Sequence, residues 1–357
     1  MIIEKIDKLV ENLKVWKWPL IGGIVLLVFW NKILEVISKN AIKIYQDNII
    51  PIRHGDSSYT GQIGDTMGGT TAPFIALFAC ILTFIAFWAQ VLANRQVQNQ
   101  FKIQQFESQF YEMIRLHRAN VEEQNIQDLI RGRKVFTTYY FELRYIYVLL
   151  EKKNDSATKK QVDRETLTNL AYLIFFFGIG HASKNIFEDM LPNYCNEPFF
   201  QDTLVDLQST KDKYSSGEKN PDLEITNKNS KAIFKQVYEP FTGHGTKIGH
   251  YYRHLYQTVE YVDSQSEKMF SNKQKYTYIK ILRAQLSNIE QVLFYYNSIS
   301  VLGKPWVDKG YIVSYKFIVN LPLSFADFGI KPSEKFKDVL EGIPDFFDWS
   351  NYSKFQN

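Results

Sequence analysis

The chain of 357 residues has only two cysteines. Cys80 lies in an apolar run, and Cys195 stands alone in a polar one. Two cysteines in such different surroundings exclude a disulfide framework and a cysteine-based zinc site within one chain. We therefore expect a reducing compartment for the parts of the chain outside any membrane.

An excess of either charge is also lacking, since the formal net charge is +4 and the Lys and Arg residues are interspersed with Asp and Glu. Composition therefore does not indicate nucleic acid as a partner. The glycines Gly61, Gly64, Gly68 and Gly69 lack the Gly-Lys-Ser/Thr ending of a phosphate-binding loop, and no Gly-x-Ser-x-Gly nucleophile motif occurs. We expect no cofactor.

Apolar runs, in contrast, are present near the N-terminus. Residues 72–93 read APFIALFACILTFIAFWAQVLA, a run of 22 residues without a charge, which is long enough as a helix to cross a hydrocarbon core of about 30 Å. A shorter run, WPLIGGIVLLVFW over residues 18–30, has tryptophans at its borders and lysines just outside. We predict a membrane anchor over residues 1–93, with spans at about 16–37 and 72–93.

Two spans place both termini on the same side of the membrane. The Lys and Arg bias between the loop and the termini is weak, but the large C-terminal region is poor in cysteine and suits the cytosol. The sequence therefore predicts a multi-pass membrane protein with both termini inside and residues 32–71 outside.

The rest of the chain has the pattern of an all-α fold. Residues 94–124 contain no Gly or Pro and carry apolar residues at helical intervals, so the second span is predicted to continue as a helix. Further helices are predicted over 133–153, 164–180 with Asp163 as the cap, 247–264 and 273–300. The polar stretch 209–230 is expected to be mobile, and no strand pattern is convincing. We predict a helical bundle over 94–300, with short helices and extended segments over 301–357 packed on it.

Three of the six histidines lie within eleven residues, in the stretch TGHGTKIGHYYRHLYQTVEYVD over 242–263. His244 lies among glycines before the predicted helix, whereas His250, His254, Gln257 and Tyr261 share one helical face. Such a stripe suits a metal site, an acid/base site or a hydrogen-bonded network. No metal is expected, because His-Glu-x-x-His is absent and Arg253 beside the histidines would repel a cation.

A second polar stripe occurs on the next predicted helix. Arg283, Glu290 and Asn297 are spaced by seven among apolar residues, and an ionisable group in such surroundings needs a partner. Since a short connection favours antiparallel packing, we expect the two stripes to face each other.

Two interpretations of the paired stripes stay open. Buried polar groups are usually paired for structural reasons, so one is a network that fixes helix register. The other is an active site, with His250 or His254 as general base, Glu290 as orienting group or acid, and Arg283 or Arg253 binding phosphate. Gln257 and Asn297 are candidate binding residues on the same faces.

Three segments together resemble a known family. They are GQIGDTMGGTTAPFIALFACILTFIAFWAQ over 61–90, GHYYRHLYQTVEYVD over 249–263, and YIKILRAQLSNIEQVLFYYNSIS over 278–300. The set resembles phage abortive infection proteins of the AbiC-like type, and His250, Arg253, His254, Arg283 and Glu290 fall at its motif positions. The resemblance implies a bacterial protein that halts phage propagation at the expense of the infected cell. Together with the predicted spans, it gives the bacterial inner membrane as the expected location. It implies no reaction.

Two functional hypotheses follow. In the first, the protein is a non-enzymatic effector anchored in the lipid bilayer, in which a phage trigger shifts the bundle and the continuous helix passes the shift to the membrane; a homo-oligomer is compatible with this role. The glycines between Gly61 and Gly69 are the expected hinge. In the second, the protein is a membrane-tethered hydrolase that resembles a ribonuclease and uses the two polar stripes.

Overall fold

The computed structural model describes residues 57–157, 161–218, 222–227, 230–344 and 346–347, with a few isolated positions before residue 57. Apart from those positions, the predicted span at about 16–37 lies outside the described residues. The chain divides into two compact units, residues 1–100 and 101–357.

The first helix, α1, runs from Ser57 to Glu122 and contains the apolar run 72–93. Its part Thr71–Glu122 includes an 18-residue window of mean hydropathy 2.3 that is not buried at all, so it is long and apolar enough to cross a membrane. The expected continuation of this helix beyond residue 93 is confirmed. A second membrane helix is not shown among the described residues.

The region between Gly61 and Gly69 was predicted to lie in the loop between the two spans, and this part of the prediction is wrong. These glycines lie inside α1, which also continues through Pro73. None of the four glycines has a neighbour within 4 Å of the position of a Cβ atom. A helix tolerates Gly and Pro when neighbouring turns maintain it. The four glycines and Pro73 therefore do not end α1, although their presence in the sequence suggested a break.

The second unit is built from helices, in agreement with the all-α prediction. The long ones are α2 Lys134–Asp155, α3 Arg164–Phe177, α4 His181–Met190, α5 Pro198–Ser215, α6 Gly245–Asp263, α7 Asn272–Arg283 and α8 Asn288–Ile299. A 3₁₀ turn at Val301–Gly303 leads to the short helices α9 Lys304–Asp308, α10 Tyr311–Ser314, α11 Pro332–Lys335 and α12 Lys337–Gly342.

Aromatic side chains fill the core of this unit. On α1, Phe106 and Phe110 are buried, and the Phe106 ring lies 4.4 Å from that of Phe270 and 5.1 Å from that of Tyr261. The helices α2, α3 and α8 are buried along most of their length. The C-terminal part of α1 is therefore held by the same apolar core as the other helices.

Tyrosine hydroxyl groups attach the C-terminal segment to this core. The hydroxyls of Tyr296 and Tyr295 donate to the carbonyls of Phe328 and Ile330, at 2.8 Å and 2.6 Å. Tyr140 donates in the same way to Phe325, at 3.0 Å. These bonds satisfy carbonyls of irregular backbone that no helix or strand pairs.

Two small antiparallel hairpins also occur. Strands β1 Asn125–Ile126 and β2 Ile130–Arg131 follow α1, and β3 Asp222–Thr226 pairs with β4 Lys231–Lys235. The stretch 209–230 was expected to be a mobile excursion, but α5 continues to Ser215 and β3 forms a regular strand. The missed signal is the alternation in β4, which buries Ala232 and Phe234 and exposes the residues between.

The helix predicted over 273–300 is in fact two helices, α7 and α8. Ser287 ends the connection between them, and its hydroxyl accepts from the Glu290 N–H at 3.3 Å while the Glu290 carboxylate accepts from the Ser287 N–H at 2.8 Å. This reciprocal capping box starts a new helix. The Ser-x-x-Glu spacing was visible in the sequence, but the unbroken apolar pattern hid it.

Candidate functional site

The carboxylate of Glu290 is the centre of a buried polar cluster in the second unit. It is completely buried and, in addition to its role in the capping box, accepts a hydrogen bond from the Tyr251 hydroxyl at 3.1 Å. Arg133, just before α2, approaches the other carboxylate oxygen at 3.3 Å. A buried carboxylate therefore has three partners from three parts of the chain, as its burial requires.

Tyr251 connects Glu290 to a histidine on α1. The Tyr251 ring lies 5.2 Å from the ring of His117, and burial raises the pKa of the Tyr251 hydroxyl well above its usual value, with the Glu290 charge as the next cause. The tyrosine therefore keeps its proton near neutral pH and donates it in the hydrogen bond to Glu290.

His117 is the most unusual member of the cluster. Its side chain is fully buried, and neither ring nitrogen has a hydrogen-bond partner among the described residues. Its pKa is lowered to about 4, chiefly by burial and then by the charges of His254, Arg133 and Arg118 in that order. His117 is therefore neutral at physiological pH. The surrounding residues 115–118, RLHR, are mostly polar, so the local sequence does not indicate that this histidine is buried.

His254 lies beside His117. The two rings are nearly parallel, with centroids 6.4 Å apart, and the His254 Nε2 atom lies 2.9 Å from the Met113 carbonyl oxygen on α1. The predicted His stripe thus contacts α1 through His254. Two residues that the sequence pattern did not indicate, His117 and Tyr251, lie between His254 and Glu290.

Three other candidate residues predicted on this helix are not in this cluster. His250, Arg253 and Gln257 are exposed on α6, because the buried face of that helix consists of Tyr251, Tyr252, Leu255, Thr258 and Val259. The stripe lies along the border of the buried face. Helical periodicity locates such a border only to within about one residue, so it does not decide which stripe residues are buried.

Arg283 has a different set of partners from those expected. It is buried, and its Nη1 atom donates to the carbonyls of Lys316 and Tyr315, at 2.7 Å and 3.2 Å. Lys316 has a left-handed φ of 47°, so this arginine satisfies the carbonyls of a tight turn in the C-terminal segment.

Asn297 is also buried, and it donates to the Tyr172 hydroxyl on α3 at 2.9 Å. Arg283, Glu290 and Asn297 thus have three separate environments. They do not form a common stripe, since the break between α7 and α8 changes the helical register.

A second buried carboxylate, Glu142 on α2, lies at the beginning of the histidine-rich stretch. It accepts from the Tyr238 hydroxyl and from the Phe241 N–H at 3.1 Å. The His244 Nε2 atom is 3.1 Å from Glu142 without the geometry of a hydrogen bond. This cluster secures the loop before α6, and the sequence offered no signal for Glu142.

Among the described residues, no group of three or more His, Cys, Asp or Glu side chains is arranged to hold a metal ion. Two cavities are formed by other residues: one of about 210 Å³ is lined by Glu151, Arg164, Asp327 and Lys331, and another of about 540 Å³ lies along α5. Both are outside the Glu290 cluster.

The segment that contains α6, α7 and α8 is similar to a known protein family. A family model described as "Putative phage abortive infection protein" matches residues 243–326. The match confirms the resemblance for this segment. No curated protein and no solved structure matches the chain.

The matched segment begins at Gly243 and includes α6, α7 and α8, so it contains His254, Arg283 and Glu290. His117 and Arg133, which contact those helices, and Glu142, which contacts the loop before α6, lie outside it. The match spans 84 of the 357 residues and does not include the apolar part of α1.

Proposed function

We propose that this protein is a membrane-anchored effector of bacterial defence against phage, acting by abortive infection. The family match over residues 243–326 supports the defence role. The apolar part of α1 supports the anchor. The observation that carries the proposal is the presence of both features in one chain, a defence-family segment and a membrane-length apolar helix.

The exposure of the apolar helix supports lipid as its environment. Large side chains on all sides of it are exposed, including Phe84 at 66% and Phe87 at 63%. Moving each such side chain out of water is favourable by roughly 1.5–3 kcal/mol. The one hydroxyl in the middle of this run, on Thr83, donates to the Ala79 carbonyl at 2.8 Å, so it needs no water.

The proposed location is the bacterial inner membrane, with both termini and the second unit in the cytosol. The shortage of cysteine supports a cytosolic second unit. Reporter fusions at Ser57 and after Asn357 test this topology: the fusion at Ser57 should report the outside and the C-terminal fusion the cytosol. A cytosolic signal from Ser57 would contradict it.

The proposed mechanism is a change of packing in the second unit that α1 passes to the membrane. The support for it is continuity, because α1 carries the apolar run and also His117, Phe106 and Phe110, which lie in the core of the second unit. A shift of α1 against α6 needs two discrete packings rather than gradual bending. The described contacts favour this effector over the hydrolase, since His254 and Glu290 are each occupied by structural partners.

The experiment is to measure membrane potential during infection of cells that produce the protein, using a voltage-sensitive dye. We expect depolarisation before lysis, and only in infected cells. If the potential holds until lysis while growth still stops, the membrane mechanism is wrong.

A matched pair of variants on α1 separates the anchor from general damage. Phe84→Arg places a charge in the apolar run, which costs roughly 2.5–3.5 kcal/mol at the centre of a span. This variant should be absent from the membrane fraction and should no longer protect cells against phage. Phe101→Arg changes a residue of the same type, 68% exposed on the same helix beyond the run, and protection should persist. Equal behaviour of the two variants would contradict the anchor.

A further inference from the structure

Two arginines converge on one residue at the surface next to the Glu290 cluster. Arg118 donates from Nε to the Gln285 side-chain oxygen at 2.9 Å. Arg133 donates from Nη2 to the Gln285 backbone oxygen at 3.0 Å. Because both guanidinium groups bind oxygens of one residue, two positive charges are held close together at the connection between α7 and α8.

Among the described residues, one of these two charges has a carboxylate partner and the other has none. Glu290 is the acidic partner of Arg133 at 3.3 Å, and it is already bonded to Tyr251 and to the Ser287 N–H. In the part of the chain that the structure describes, no carboxylate pairs with Arg118. The Arg118 Nη1 and Nη2 groups and the Arg133 Nη1 group have no hydrogen-bond partner there.

The buried His117 ring lies behind this arginine pair. Arg133 and Arg118 are close enough that their charges lower its pKa, and both of its nitrogens are without partners among the described residues. A neutral imidazole carries one N–H donor. The imidazole is therefore a neutral group beneath two exposed arginines, whose three remaining guanidinium nitrogens are the donors available to a ligand.

We propose that Arg118 and Arg133, with His117 behind them, form a binding site for the phosphate group of a small soluble ligand. Guanidinium groups match phosphate oxygens in pairs, and a phosphate has enough oxygens for both of these exposed arginines, whereas one carboxylate does not. A bound phosphate also offsets the repulsion between the two arginines. The site joins the end of α1 to the α7 and α8 connection, so its occupant is suited to act as the trigger; that role rests on the proposed function, whereas binding does not.

The test is calorimetric titration of the full chain in a maltoside detergent with inorganic pyrophosphate, at constant ionic strength set by chloride. We expect saturable binding with one site per chain. Arg118→Gln should weaken it by about tenfold or more, because a charge-assisted contact is lost. Arg118→Lys should also weaken it, since an ammonium group lacks the paired donors.

The matched control is Arg115→Gln, one turn earlier on α1, where an exposed arginine pairs with Glu112 at 2.5 Å. It should bind pyrophosphate as the unchanged chain does. Equal affinity of the Arg115→Gln and Arg118→Gln chains, or no saturable binding, would overturn the site. Thermal unfolding of each variant verifies that Arg118→Gln is folded, as its exposed position implies.

A second probe distinguishes a soluble ligand from a lipid headgroup. Short-chain phosphatidic acid, below its micelle concentration, carries the same phosphate chemistry on a lipid. Binding of pyrophosphate that depends on Arg118 supports the proposal, and binding of the lipid alone would overturn it. Since neither titration involves phage, a chain that binds pyrophosphate but does not protect cells would contradict the proposed function and leave the site in place.

Discussion

At the scale of single residues, burial decides what each histidine can do. His250 is exposed, His254 is bonded to a backbone carbonyl, and His117 is buried with no hydrogen-bond partner among the described residues. Sequence spacing selected the first two and missed the third, because His117 stands among charged residues of α1. The three histidines differ because α1 packs against α6. No local sequence pattern predicts that contact.

His117 predicts an acid-sensitive stability. Its pKa of about 4 in the folded chain is below the ordinary value of 6.5, so the unfolded chain binds a proton more readily as pH falls. The destabilisation caused by burying His117 is nearly absent above about pH 6.5, and it grows as the pH falls toward 4. Between pH 6.5 and 5 we expect a loss of about 2 kcal/mol in the free energy of unfolding.

The measurement is the melting temperature from pH 7.5 to pH 5. His117→Leu removes the titrating group and should flatten this dependence, whatever it does to the melting temperature at pH 7.5. His181→Gln is the matched control, since His181 is exposed at the start of α4, and the dependence should be unchanged. An equally steep dependence in the His117→Leu chain would show that burial of this histidine does not control acid stability.

At the scale of elements, the position of α6 depends on a close crossing of two backbone segments. Gly178 ends α3 with a φ of 74°, and a Cβ atom there would lie 2.5 Å from the Gly243 nitrogen. Gly243 has a φ of 85°, and its own Cβ would lie 2.6 Å from the Phe177 backbone. Only glycine permits this approach on both sides.

Gly178→Ala should therefore destabilise the second unit by about 3 kcal/mol or more, because backbone strain and a steric clash act together. Gly217→Ala is the control for strain alone, since Gly217 has a φ of 87° and nothing within 4 Å of its Cβ position. That variant should lose only about 1 kcal/mol. Urea unfolding of both variants measures the difference, and similar losses would mean that the crossing of α3 and the loop before α6 is not tightly packed.

At the scale of the whole molecule, the chain consists of a first unit, residues 1–100, and a second unit, residues 101–357. All members of the buried apolar core among the described residues lie in the second unit, from Phe106 to Phe347. A core that is contained within one unit allows that unit to fold by itself.

A chain that begins at Phe101 should therefore be soluble without detergent and melt in one cooperative transition. Because it lacks the apolar run 72–93, it should stay in the supernatant after membrane sedimentation, whereas the full chain should sediment with membranes. Sedimentation of both chains, followed by calorimetry of the shorter one, measures this. Aggregation of the shorter chain, or loss of cooperative melting, would mean that its core depends on residues before 101.

Much of the element structure could be predicted from sequence. Residues 72–93 lie in a helix, Asp163 caps α3 by accepting the Thr166 N–H at 2.9 Å, and α6 covers the histidine-rich stretch. Each of these rests on local chemistry, namely apolar length, a capping side chain or helical periodicity. The break at Ser287 and strand β4 had local signals too, but a stronger apolar pattern obscured them.

The amino-acid sequence by itself thus determined the helical class, the apolar run that suits a membrane and the resemblance of residues 243–326 to an abortive infection family. Only the tertiary structure decided which polar groups meet. Arg118 and Arg133 meet at Gln285, and His117 meets His254 and Tyr251, across 134 or more residues of sequence for each α1 contact. The physical reason is that local sequence governs backbone conformation, whereas the choice of partner for a buried charge depends on which distant helices pack to exclude water.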